Sequence, residues 1–235
     1  MFVDLHAHTS GISRCCKKDY KGIIEDNLSY GFDGMVLCNH FETHYIDGFD
    51  YDEFVDIYNN EFIEAANYGK EKNFKVLYGI EITMEFDRRV HMLLYGADFS
   101  FLHKHKNIFD YSAEALYNAC KEDNVCLVQG HPYRAGVLPL PIEYVDGYEV
   151  NCHAHHGPSH LADIEKINKE TGVLVTCGCD YHADDYRPKG GMILPDSIED
   201  TFDLRDYLLT TNKTEIVVHE PATEDIIKKE LIIKR

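Results

Sequence analysis

Short apolar and β-branched runs recur along the chain and predict strands at Phe2 to Leu5, Met35 to Cys38, Phe74 to Ile82, Val90 to Tyr95, Val125 to Gln129, Gly147 to Val150 and Val173 to Cys177. Between several of them lie stretches of helical pattern, at about Tyr20 to Tyr30, Tyr51 to Lys72, Ala113 to Glu122 and Ser159 to Glu170. Strands that alternate with helices predict a parallel sheet wound from βαβ units. The run from Phe74 to Tyr95 breaks the rhythm, because Met84 to Arg89 leaves no room for a crossover helix. A hairpin is expected there. After Thr201 the pattern predicts a helix, a short strand at Glu215 to His219 and a charged terminal helix, packed on the outside. There is no internal repeat and no Pro-, Gly- or Ser-rich linker.

The chain has 235 residues, 44% of them hydrophobic, which suffices for one sizeable core of the barrel or layered α/β kind. A formal charge of −18 argues against a nucleic-acid backbone or an anionic membrane surface as the main partner. A phosphorylated substrate would need local positive charge, which bound metal ions can supply. The opening MFVDLHAHTS has no signal-peptide pattern and no run is long enough to span a bilayer, so a cytoplasmic protein is expected. Of the eight cysteines, Cys38, Cys126, Cys177 and Cys179 lie in strand-like runs and Cys15 and Cys16 are adjacent. Free thiols are the expectation.

The chemistry starts at Asp4-Leu5-His6-Ala7-His8, where the i, i+2 spacing of a strand puts both imidazoles on one face. Other strand-like runs carry a metal-compatible residue at or near their C-terminal ends: His40, Glu81, His131, Asp180 and His182. In a parallel barrel these ends converge on one face. His91 opens the second half of the hairpin and would return beside Glu81. Imidazole with carboxylate suits Zn, Mn or Fe, and eight such groups exceed the needs of one ion. Two or three ions are implied, with Glu81 or Asp180 bridging.

Taken in order, these segments resemble the polymerase and histidinol phosphatase (PHP) family. Asp4-Leu5-His6-Ala7-His8-Thr9 is similar to its first motif, Cys38-Asn39-His40 to its second, Gln129-Gly130-His131-Pro132 to its third and Cys179-Asp180-Tyr181-His182 to its fourth. The resemblance runs from about residue 2 to about residue 195. It implies a single distorted (β/α)7 TIM-like barrel as one catalytic domain over 1–235, with 196–235 packed on it. It also implies hydrolysis of phosphate esters, histidinol phosphate among them, with His6, His8, His40, Glu81, His91, His131, Asp180 and His182 as metal ligands. Two positions depart from the family pattern. Asn39 stands where an acidic residue is usual, and Ser13-Arg14-Cys15-Cys16 occupies the stretch that often carries one more ligand. Arg14 is always protonated and cannot bind a metal, so a cysteine or an outside histidine completes the cluster, or one ion is weak or absent.

The expected reaction is in-line attack on a small phosphomonoester by a metal-bridged hydroxide. Arg134, three residues past His131, is the first choice for gripping the phosphate, and Arg14 the second. His153, His155 and His156 follow a strand end, and His156 is the catalytic candidate among them. His44, His103, His105, His160 and His219 match no motif. Cys177 and Cys179 lack a second pair to complete a zinc knuckle. Two alternatives are an amidohydrolase-type metal hydrolase, which would want a lysine near the middle of the barrel, and a non-catalytic metal-binding regulatory module.

Overall fold

Strand β1 (Phe2–Ala7) occupies the middle of the wall and is almost wholly buried. In chain order it is followed by α1 (Tyr20–Ser29), β2 (Gly34–Leu37), β3 (His40–Phe41), α2 (Thr43–Ile46), α3 (Tyr51–Glu71), β4 (Lys75–Thr83) and β5 (His91–Tyr95). Then come α4 (Phe99–Lys104), α5 (Ala113–Glu122), β6 (Cys126–Gln129), β7 (Gly147–Asn151), α6 (Leu161–Thr171) and β8 (Leu174–Gly178). The chain continues with β9 (Gly191–Ile193), α7 (Thr201–Thr210), β10 (Lys213–His219) and β11 (Ile226–Ile232). This is a computed structural model, and it describes residues 1–155, 157–183, 187–221 and 223–234.

The sheet order is β11-β10-β9-β1-β2-β4-β5-β6-β7-β8, with β3 paired to β4. Pairing is parallel for β1–β2–β4 and again for β6–β7–β8, whereas β5 runs against both of its neighbours. The N-terminal half of β1 pairs with β9, while its C-terminal end reaches the segment after β8. There His8 N donates to Tyr181 O at 3.1 Å and Tyr181 N to His6 O at 3.3 Å. The sheet is thereby a nearly closed barrel in a mixed α/β fold. Its interior is packed with Val36, Leu77, Leu93 and Tyr95, and the Tyr95 hydroxyl donates to Leu5 O at 3.1 Å. A second apolar layer, with Ile23, Ile24, Met35, Leu37 and Ala65, seats α1 and α3 on the outside. Asp50 caps α3 and Asp200 caps α7 by accepting from the first-turn amides.

The expected hairpin is present: β4 and β5 pair antiparallel from Gly79↔Tyr95 to Thr83↔His91. The expected terminal helix is not. Residues Ile226–Ile232 form β11, antiparallel to β10 along its whole length. Lys228, Lys229 and Glu230 read as helical surface, but in an edge strand they alternate between solvent and neighbours. Glu230 pairs with Lys213 at 2.6 Å across the strands and Lys229 with Glu165 at 3.0 Å. Charge on an edge strand is a common protection against further pairing. Among the described residues no helix is long and apolar enough to cross a membrane.

Candidate metal centre

The C-terminal ends of β1, β4, β6 and β8, with β3 and the start of β5, deliver all eight expected ligand residues to one end of the barrel. Glu81 lies at the centre, fully buried. Its Oε1 is 2.8 Å from His91 Nδ1, 3.0 Å from His131 Nε2 and 3.3 Å from His6 Nε2. Its Oε2 is 2.6 Å from His40 Nδ1 and 3.5 Å from His8 Nε2. The hairpin register explains the reach of His91: it pairs with Thr83, so it stands diagonally across from Glu81 on the same face. Asp180 is a second hub. Its Oδ1 is 3.1 Å from His8 Nε2, 3.4 Å from His182 Nδ1 and 3.7 Å from His6 Nε2.

Outer partners fix which nitrogen each imidazole turns inward. His6 Nδ1 lies 2.9 Å from Glu149 Oε1, a carboxylate that can only accept, so Nε2 is left facing the hubs. Ser13 Oγ spends its proton on Asn39 Oδ1 at 2.8 Å, and must therefore accept from His8 Nδ1 at 3.1 Å. Asn39 Oδ1 is itself oriented by Thr9 N at 2.8 Å and its amide donates to Thr9 Oγ1 at 2.9 Å. Asn39 thus serves as a brace for the loop after β1, a task that uses the donor an acidic residue would lack. His182 Nδ1 donates to Asp180 O at 2.8 Å and keeps Nε2 for the cleft.

Glu149 was not among the residues singled out from the sequence. It is buried, and besides His6 it accepts from His131 N at 2.9 Å and Asn151 Nδ2 at 3.0 Å. It reaches His6 past Gly178, where an added Cβ would lie 2.5 Å from His6 Cβ and 2.8 Å from Glu149 Oε1. The signal for it was a carboxylate in the middle of the apolar run Gly147 to Val150. Asp4 is a second brace, with Oδ1 accepting from His6 N at 3.0 Å and Cys179 N at 2.9 Å. Burial pushes its carboxyl up to about 7. Two of the hub-facing residues, His131 (φ 30) and Asp180 (φ 49), sit in left-handed backbone without being glycine. Such strain costs on the order of 1–3 kcal/mol each and clusters at functional sites.

The electrostatics are those of carboxylates short of cations. Burial alone would raise Glu81, but His40, His91 and His6 hold it well below the usual carboxylate range. Asp180 is likewise held down, against burial, by His6 and His182. Burial opposes a charge on His40, yet Glu81 raises it to about 10, and Glu149 and Glu81 raise His6 well above its ordinary value. Burial, then the charges of His182 and His40, drives His8 well down. A neutral His8 with its proton on Nδ1 turns a lone pair toward an ionised Asp180 3.1 Å away. A shared cation relieves that repulsion. His6 Nε2 and Glu81 Oε2 are buried without an aligned hydrogen-bond partner, and so is His40 Nδ1 despite its contact with Glu81. Donor atoms of His6, His8 and Glu81, of His40, Glu81 and His91, and of His8, His40 and His182 each lie within 4.8 Å of one another. The donor set fits divalent metal ions.

A cleft of about 320 Å³ opens above the cluster, lined by Cys15, His40, His91, Arg134, His153, His155, Asp180 and His182. Arg134 Nη1 lies 2.7 Å from Asp180 Oδ2. Arg14 is exposed beside the cleft, its guanidinium 5.2 Å from the Tyr45 ring, and it has no carboxylate partner among the described residues. His156 lies outside the described residues. Cys15 and the other seven cysteines are free thiols.

No family model matches this chain, and no curated protein does. Solved structures do. A Bifidobacterium adolescentis protein, assigned by prediction as a metal-dependent phosphoesterase, is 17% identical over 88% of this chain and 95% of its own, with a TM-score of 0.55. A two-domain Bacteroides vulgatus protein containing a predicted PHP-like metal-dependent phosphoesterase is 13% identical over 92% of this chain and 58% of its own, with a TM-score of 0.57. An amidohydrolase from Chromobacterium violaceum, with bound sulfate and no metal, is 13% identical over 94% of this chain and 98% of its own, with a TM-score of 0.55. At these identities the common ground is the fold: a barrel that PHP-like phosphoesterases and an amidohydrolase share with this chain.

Proposed function

We propose that this chain is a metal-dependent phosphoesterase that hydrolyses a small phosphomonoester, of the histidinol-phosphatase-like type within the PHP family. The observation that carries the reading is Glu81, a buried carboxylate within 3.5 Å of five imidazoles, with Asp180 as a second hub. His6, His8, His40, Glu81, His91, His131, Asp180 and His182 would hold two or three ions of Mn, Zn or Fe. Such ions, when bound, lower the pKa of water and offset the charge of phosphoryl oxygens. Glu149, Ser13 and the Asp180 carbonyl keep the histidine tautomers ligand-ready. Arg134, already turned into the cleft, would grip the phosphate by exchanging Asp180 for substrate, with Arg14 at the rim and His156 as a proton donor to the leaving group. The same proposal takes the wall as a distorted TIM-like (β/α)7 barrel, 1–235 as one catalytic domain, and the setting as cytoplasmic, which suits eight free thiols.

A second reading, an amidohydrolase-type hydrolase, is favoured by the Chromobacterium violaceum likeness. Against it, no lysine lines the cleft among the described residues. The discriminating experiment strips the protein of metal, restores Mn(II), Zn(II) or Fe(II) separately, and follows an aryl phosphate beside an aryl amide. Metal-dependent phosphate release that His182→Ala abolishes is the expected result. Amide turnover without phosphate turnover would replace this reading with the second.

A further inference from the structure

The loop after β1 is tied to a helix on the outside of the barrel. On α3, Tyr58 and Glu61 lie three residues apart and so share a face. The Tyr58 hydroxyl donates to Asn39 O at 2.6 Å, and Glu61 Oε1 accepts from Thr9 Oγ1 at 2.6 Å. Glu61 also fills the space beside Gly11, where an added Cβ would come 2.1 Å from its Oε2. Thr9, Ser13 and Asn39 are buried between this carboxylate and His8.

The directions along this chain are forced. Main-chain amides can only donate, so Asn39 turns Oδ1 to Thr9 N at 2.8 Å, and Ser13 Oγ accepts from His40 N at 3.0 Å. Asn39 Nδ2 then donates to Thr9 Oγ1 at 2.9 Å, and the Thr9 proton goes to the Glu61 carboxylate, which can only accept. At the far end His8 has two options. Its Nδ1–H can donate to Ser13 Oγ at 3.1 Å, or its Nε2–H to Asp180 Oδ1, also at 3.1 Å. The second bond is charge-assisted, and it would cover the nitrogen that a metal needs. Against it stands Asn39, which takes the Ser13 proton at 2.8 Å while its amide is held in place. Once that amide shifts, Ser13 is free to reverse and donate to Nδ1, and the proton moves to Nε2. Resting on the metal-centre reading above, we propose that Glu61 is a positioning residue: it anchors Thr9, Asn39 and Ser13 against α3, and so keeps the His8 proton on Nδ1 and Nε2 open to metal.

The test reads the His8 tautomer in metal-free protein by proton–nitrogen NMR at neutral pH, with Zn(II) titrations alongside. Wild type should hold the proton on Nδ1. Glu61→Ala should move it largely to Nε2 and weaken Zn(II) binding about tenfold or more, the scale of losing an outer partner. Gly11→Ala, which leaves no room for the Glu61 carboxylate, should do the same. Glu61→Gln, whose carbonyl still accepts from Thr9, should match wild type in both readouts. A proton already on Nε2 in wild type, or one that stays on Nδ1 in Glu61→Ala whatever the Zn(II) affinity, would overturn the role of Glu61 and leave α3 as mere support for the loop. The expected tautomers with no Zn(II) binding in wild type would overturn the metal-centre reading instead.

Discussion

The two ends of the barrel use charge in opposite ways. A concavity of about 770 Å³ lies at the N-terminal ends of β1, β2 and β4 and is lined by Met1, Asp33, Lys70, Lys75, Asp196 and Glu199 among others. Four of its charges pair at the surface: the N-terminal amine with Asp196 at 2.9 Å, and Lys75 with Glu199 at 3.2 Å. Pairs of that exposure contribute about 0–1 kcal/mol and need no ligand to explain them. At the other end the cleft is less than half as large, yet Glu81 and Asp180 are buried among imidazoles, with Arg134 the one permanent cation lining it among the described residues. Burying ionised groups is costly unless something repays it. Size therefore misleads here, and the unpaid charge marks the site.

The sharpest way to break this contrast is to remove the central charge. Glu81→Gln should abolish tight metal retention and lower hydrolysis by more than about a hundredfold, beyond what losing an outer partner costs. Elemental analysis beside an activity assay would check it; a variant that keeps its metal would dissolve the hub argument. Glu149→Gln comes next. It preserves volume but removes the acceptor charge behind His6, so metal affinity should fall by about 10–100-fold with the fold intact, as read by metal titration and circular dichroism.

The pH dependence has a definite sign. With His40 raised to about 10 and His6 raised well above its ordinary value, both imidazoles hold protons near neutrality in the metal-free protein. A metal must displace those protons, so its affinity should climb as pH rises toward about 10, by up to about tenfold per unit for each proton released. Calorimetry in buffers of different ionisation enthalpy counts the protons; an affinity unchanged between about pH 6 and pH 9 would show the imidazoles to be neutral already. The smallest effect belongs to the opposite end. Asp196→Asn, at a side chain 90% exposed, should shift stability by no more than about 1 kcal/mol and leave metal binding unchanged, by denaturant melts and titration.

How much of this was legible beforehand follows from the range of each interaction. His6 and His8 share a strand, and His40, His131, Asp180 and His182 follow apolar runs, so local pattern sufficed to group them. The β4–β5 hairpin was readable because the gap between its strands is too short for a helix. Glu149 was hidden because its role depends on His6, 143 residues away, and on the absence of a side chain at Gly178. Asn39 read only as a departure from an acidic position, and what its amide does, spanning Thr9 and Ser13, depends on a loop about 30 residues away. The terminal strand was misread as helix because Lys228, Lys229 and Glu230 carry no periodicity of their own, and pairing with β10 decides their form.

The most direct test of the central claim is crystallographic: grow the protein with Mn(II) or Zn(II) and locate the ions by anomalous scattering at the metal edge. Two or more peaks at bonding distance from Glu81 and Asp180, with His6 and His8 coordinating through Nε2, is the predicted result. Ordered protein with no anomalous peak among these side chains, or with peaks only at the Asp196 and Glu199 end, would contradict it.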